Sequence, residues 1–100
     1  MPNHILIVTY DLKGSEGGQA NYEKVFEILK ACPTWCHYID STWLVFTEES
    51  PQSLAERIRP SLAPGDRMLI TEMGSAYWGL LPKEGWEWIK RVQAAGKGDA

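Results

Sequence analysis

The run Ile5-Leu-Ile-Val-Thr-Tyr10 begins with four residues that are apolar whichever way the chain is turned. Extended, it sends Ile5 and Ile7 to one side and Leu6 and Val8 to the other, because successive side chains of a strand alternate between faces. Such a strand belongs inside a sheet, and both of its faces need an apolar cover. Asp11 and the glycines at 14, 17 and 18 close the run. A chain of 100 residues has length for one domain, predicted over residues 1–95 with a frayed tail over 96–100. A globule of this mass buries roughly two-thirds of its unfolded surface, so no disulfide or metal staple is required.

From Tyr22 the period changes. Tyr22, Val25, Phe26, Ile28 and Leu29 cover about 160° of a helical wheel, with Glu23, Lys24, Glu27 and Lys30 opposite. Asn21 is the expected cap of this first helix, and Pro33 ends it near Ala31 by forcing Cys32 out of helical geometry. Trp35 to Ile39 and Thr42 to Thr47 are rich in aromatic and β-branched residues and flank Asp40-Ser41, the pattern of a hairpin. Ser50 before Pro51 marks a helix start, followed by Leu54, Ile58 and Leu62 at a spacing of four, with a kink or early end expected at Pro60. Arg67 to Met73 reads as a fourth strand after the Pro64-Gly65-Asp66 turn. Trp86, Trp88, Ile89 and Val92 make another apolar arc of about 160°, a third helix.

The order β-α-β-β-α-β is the split βαβ pattern of ferredoxin-like α+β folds. Right-handed crossovers then give an antiparallel sheet of order 4-1-3-2, with strands near 4–10, 35–39, 42–47 and 67–73 and two helices on one face. That topology gathers Asp11, Asp40, Ser41, Asp66 and Arg67 on one rim. It also leaves the second face of strand 1 in need of a lid: the third, C-terminal amphipathic helix, a second subunit, or both. A homodimer is therefore the expected assembly.

A net charge of −3 and a pI near 5.3 remove the broad attraction to phosphate that dedicated nucleic-acid binders carry. The lysines and arginines are spread along the chain with no basic block. Ile5 to Val8 is as long an uninterrupted apolar run as the chain holds, far short of the ~20 residues of a membrane-spanning helix. No basic stretch followed by an apolar segment opens the chain, which points to a cytoplasmic protein without a membrane role.

The stretch Ile5-Leu-Ile-Val-Thr-Tyr-Asp11, within this order of elements, resembles the Cas2-like family of small ferredoxin-fold proteins. The segment Trp35-Cys-His-Tyr-Ile-Asp-Ser-Thr-Trp43 is similar to short standalone relatives, some labelled SinR-like, and the likeness spans roughly residues 4 to 90. The resemblance implies a homodimer in which Asp11 is a metal ligand near the two-fold axis of a Mg²⁺-dependent nuclease or a DNA-holding subunit. Two departures oppose that activity. Where the family carries arginines after the Tyr-Asp pair, this chain has Lys13 and the Gly14 to Gln19 loop, which argues against phosphate binding. Where true Cas2 proteins often carry an extra strand, this tail is a Trp-bearing helix, which argues against the same dimer.

Asp11 is the single catalytic and metal-binding candidate, to be shared across a dimer, and its alternative role is to cap the turn that follows. Asp40 and Asp66 have turn roles as natural as catalytic ones. Cys32, Cys36 and His37, with His4 distant, fail the usual zinc spacing, and the two cysteines read as reduced core thiols. Lys13-Gly-Ser-Glu-Gly-Gly18 has its lysine before the glycines, the wrong order for a phosphate-binding loop. Thr42-Trp-Leu-Val-Phe46 occupies the strand that stacks bases in RRM domains but lacks the accompanying basic residue and glycine. Packing under the third helix or a partner subunit is the expected job of Trp35, Trp43, Trp86 and Trp88. Three readings follow: a non-catalytic interaction module that requires no cofactor, a Mg²⁺-dependent endonuclease acting on DNA or RNA through Asp11, and an RRM-like binder of single-stranded RNA.

Overall fold

In the computed structural model, which describes residues 3–13 and 22–98, four strands and three helices alternate in the order β1 (His4–Asp11), α1 (Tyr22–Lys30), β2 (Thr34–Ile39), β3 (Thr42–Thr47), α2 (Pro51–Ile58), β4 (Arg67–Glu72) and α3 (Lys83–Gly98). The expected Asn21 cap and the glycine loop over 14–18 lie outside the described residues. Ser50 caps α2 as its position before Pro51 predicts: its backbone is extended and its hydroxyl accepts from the Ser53 amide at 3.1 Å. Pro60 ends that helix early, and the chain tightens into a 3-10 turn over Arg59–Ser61.

The sheet has the order β2-β3-β1-β4 and every neighbouring pair is antiparallel. This is the order 4-1-3-2 expected from the pattern of elements. Val8 pairs with Trp43 on one side and Ile70 on the other, and Leu6 pairs with Val45, so these side chains share a face. Val25 and Leu29 of α1 and Leu54 and Ile58 of α2 pack onto it as the larger core cluster. Full burial of each such aliphatic side chain contributes about 1.5–3 kcal/mol.

Ile5, opposite Phe46, and Ile7, opposite Leu44, face the other way. There α3 supplies Trp88, Ile89 and Val92, which close over Ile5, Cys36 and Phe46 as a second core cluster. Trp88 is fixed by donation from its indole Nε1 to Thr34 Oγ1 at 2.9 Å. Gly85 lets the first turn of α3 sit close to β2, since a Cβ there would meet the Tyr38 ring at 3.2 Å.

The structure corrects the expected placement of two tryptophans. Trp35 and Trp43 lie on the α1 and α2 face, ring centroids 5.0 Å apart, while Trp86 and Trp88 belong to the α3 side. Trp43 is set there by the β1–β3 register, which places it opposite Val8, and Trp35 by a bulge in β2. The Asp40-Ser41 turn leaves Ile39 opposite Thr42, yet Cys36 pairs with Leu44, so His37 and Tyr38 together oppose the single residue Trp43. The extra residue reverses the faces of the rest of β2, which brings Trp35 and His37 to Trp43 and turns Cys36 towards α3.

Trp43 is 1% exposed and touches Phe26, Trp35 and His37. Trp43→Ala should therefore lower the unfolding free energy by about 3–5 kcal/mol in urea titration. Trp78→Ala, at a position outside both cores, should cost far less than Trp43→Ala in the same titration.

Candidate functional site

Helix α3 covers only half of its face of the sheet. Cross-strand partners define successive rows there: Ile5 with Phe46, then Thr71, Ile7, Leu44 and Cys36, then Leu69, Thr9, Thr42 and Ile39, and at the rim Arg67 with Asp11. The first row is buried under α3, and the second is partly covered. In the third row Leu69 is 64% exposed and Ile39 is 51% exposed. Thr42 Oγ1 donates to Thr9 Oγ1 at 3.3 Å between them, so the centre of the row keeps its hydroxyls to itself.

Between β4 and α3 the segment 73–82 walls a cleft of about 240 Å³ whose floor includes Ile7, Leu44 and Thr42, with Tyr38, Ile39 and Trp86 at its sides. Tyr77 ties this strap to α3, stacked on Trp86 and donating its hydroxyl to Gln93 Oε1 at 3.1 Å. Trp78 and Leu80 are each 96% exposed. Both line the cleft with Ile39 and Thr42, an apolar ridge at the β2 end of the open row.

The rim residues come together as the topology required, but in different roles. The Tyr10 amide donates to the Ser41 carbonyl at 3.1 Å, and the Tyr10 hydroxyl donates to the Asp40 carbonyl at 3.0 Å while accepting from Trp43 Nε1 at 3.1 Å. Burial pushes the Tyr10 phenol above its ordinary range, an effect partly offset by the bond from Trp43. Asp66 is a turn cap: one carboxylate oxygen accepts from the Lys13 amide at 2.6 Å and the other from the Ala63 amide at 2.8 Å. Asp11 is exposed beside its cross-strand neighbour Arg67, and its carboxylate caps no turn among the described residues.

No three His, Cys, Asp or Glu side chains converge on a metal-sized site among the described residues. Mg²⁺ takes six oxygen ligands, and Asp11 supplies one carboxylate, so the residues of a single chain do not fit that ion. Cys32 and Cys36 are free, buried and on opposite faces of the sheet, and burial raises both thiols above their ordinary value. His37 stacks on Trp43 at 4.2 Å and reaches the Asp40 carbonyl through Nε2. His4 lies at the far end of the sheet, its Nδ1 3.1 Å from Glu72.

Comparison with protein-family models, with curated proteins and with solved structures finds no match. No helix among the described residues is long and apolar enough to cross a membrane.

Leu69, Trp78 and Leu80 are the residues that sequence reasoning missed. The signal was present in Tyr77-Trp78-Gly79-Leu80-Leu81, an apolar stretch that belongs to no helical or strand period and precedes Pro82. Hydrophobic residues in a connecting segment are either folded back or left for a partner.

Two outcomes test the buried polar groups. Tyr10→Phe strands the Trp43 indole N–H without its acceptor and should cost about 1–3 kcal/mol in denaturant titration. The Cys32, Cys36 and Tyr10 protons are all held more tightly in the folded chain than their ordinary values of 9.0, 9.0 and 10.0 imply. The unfolded chain therefore loses these protons first, and stability is full below about pH 8.5 and falls as pH rises through 9 and 10. Urea midpoints between pH 8 and pH 10.5 should decline, and the Cys32→Ala, Cys36→Ala double variant should flatten the lower part of that decline.

Proposed function

We propose that this chain is a small non-catalytic interaction module that works as a homodimer, with ferredoxin-like architecture and kinship to Cas2-like proteins. Its order of elements and its strand order support the architecture. The observation that carries the function is the open row Leu69–Thr9–Thr42–Ile39 on a sheet face whose other half is closed by α3. An aromatic side chain carries on the order of 150–250 Å². Trp78 and Leu80 are almost wholly exposed and line a cleft with Ile39, and Leu69 is exposed at the other end of the row, whereas each partner of a stable complex contributes ~800 Å². Exposed apolar side chains gathered in this way mark an interaction site.

The nuclease reading asks for carboxylates around Mg²⁺, and it has Asp11 alone in each chain. The RNA-stacking reading rests on Trp43 in the third strand, and Trp43 is buried on the other face. Acidic composition weighs against both.

Light scattering at roughly tens of micromolar protein should give a mass near twice 11.3 kDa. Leu69→Asp and Ile39→Asp, both at exposed positions, should return the single-chain mass with unchanged circular dichroism. A monomeric natural chain overturns the reading. Salt-dependent binding to DNA or RNA, or Mg²⁺-dependent cleavage abolished by Asp11→Asn, replaces it with the corresponding nucleic-acid function.

A further inference from the structure

We propose that the outer edge of β4 is a docking site for an extended segment of a different protein, which adds to the sheet as a further strand running antiparallel to β4. This contact uses the edge of the sheet and is independent of the homodimer reading, which uses the face beside α3. The register fixes which backbone groups the edge presents. The Met73 amide donates to the Ile5 carbonyl at 2.8 Å, and bonded pairs alternate along an antiparallel ladder, so Arg67, Leu69 and Thr71 turn their N–H and C=O groups towards β1. Met68, Ile70 and Glu72 turn theirs outward. No hydrogen bond among the described residues reaches those outward groups.

The two edges of this sheet are not alike. Edge strands are commonly blunted by a bulge, a proline or a charge in mid-strand. β2 has its bulge at His37-Tyr38 and carries the Lys30 ammonium 5.8 Å over the Trp35 ring. β4 has none of these: it matches β1 residue for residue from Arg67 to Glu72, and its charges stand only at its two ends. All of its residues stay exposed or half-buried, Met68, Leu69 and Ile70 included. On the helix face, Met68 and Ile70 line a groove of about 350 Å³ with Ala55 and Leu62, flanked by Glu56 and Arg59. Such an edge names its occupant, because only an extended backbone supplies donors and acceptors at the spacing of Met68, Ile70 and Glu72 while its alternate side chains enter the groove and lie against Leu69. Arg67 makes no ion pair among the described residues, so the fitting segment begins with a base opposite Glu72 and ends with an acid opposite Arg67.

A second copy fits this edge poorly. Self-pairing centred on Leu69 sets Glu72 opposite the partner's Asp66, and centred on Ile70 it sets Glu72 opposite the partner's Met68 at the apolar groove. Either arrangement leaves Ile39, at the opposite edge of the sheet, uncovered.

The probe is the terminally blocked peptide Lys-Thr-Val-Ile-Val-Glu, whose two valines fall opposite Ile70 and Met68 and whose isoleucine falls opposite Leu69. It should bind one peptide per chain with a dissociation constant of about 100 µM or below in fluorescence anisotropy. N-methylation of either valine removes an N–H aimed at β4 and should weaken binding about ten-fold or more, whereas N-methylation of the threonine or the isoleucine, whose N–H points away, should change it by no more than about three-fold. Ile70→Pro removes an outward donor at an edge position that tolerates proline and should abolish binding. Circular dichroism establishes that this variant folds, and Glu72→Pro supplies a second should it fail. In hydrogen exchange followed by NMR, the Met68, Ile70 and Glu72 amides should gain protection with the peptide, while Leu69 and Thr71 are protected without it.

The proposal is overturned if the peptide does not bind, if methylation weakens binding equally at all four positions, or if those three amides stay unprotected in the complex. It is also overturned if they gain protection with protein concentration alone, the result expected of a second copy on the edge. Light scattering reads the homodimer separately: a monomer that binds the peptide removes that reading and keeps this one, and a dimer that does not bind it does the reverse.

Discussion

Everything in this fold answers to the need to cover β1 on both faces. A strand with Leu6 and Val8 on one side and Ile5 and Ile7 on the other is stable only between two apolar layers. The first layer, α1 and α2, follows from the two crossovers that return the chain to the same face. The second is a single helix, and α3 reaches only far enough to bury Ile5 and Phe46 while Ile7 and Leu44 are left as the floor of the cleft. The exposed row and the Trp78–Leu80 ridge are what that shortfall leaves.

The two faces are linked through polar bonds that fix where the rim stands. Tyr10 holds the Asp40 carbonyl and receives the Trp43 indole, so the β2–β3 turn, the end of β1 and the core under α1 are set relative to one another. Asp66 does the same for the start of β4 through the Lys13 and Ala63 amides. With the bond from the Tyr10 amide to the Ser41 carbonyl, these contacts engage three of the rim's five residues, Asp40, Ser41 and Asp66. Asp11 and Arg67 are left as the charges that face outward on the apolar side.

Helix periods, the Ser50-Pro51 start, the Pro60 stop and the hairpin break at Asp40-Ser41 were all legible because each is a local conformational preference, whereas a turn of two residues and one of three were equally open there. The strand order was legible for a different reason: short right-handed connections leave few ways to arrange four strands. The faces of β2 were not legible. A two-residue turn without a bulge would pair Cys36 with Val45 and send it under α1, but one extra residue at His37-Tyr38 places Cys36 under α3 and Trp35 on Trp43. A period of two turns a single insertion into a reversal of every side chain beyond it, and local residue types do not encode that insertion.

The sequence by itself determined the elements, their order and the demand for two lids, because periodicity, capping and turn chemistry act over a few residues. Only the tertiary structure decided how far α3 extends over the second face, which aromatics it meets, and that Leu69, Ile39, Trp78 and Leu80 stay exposed. Those outcomes depend on the register of partners distant in sequence and on the path of the 73–82 strap, both set by packing between elements.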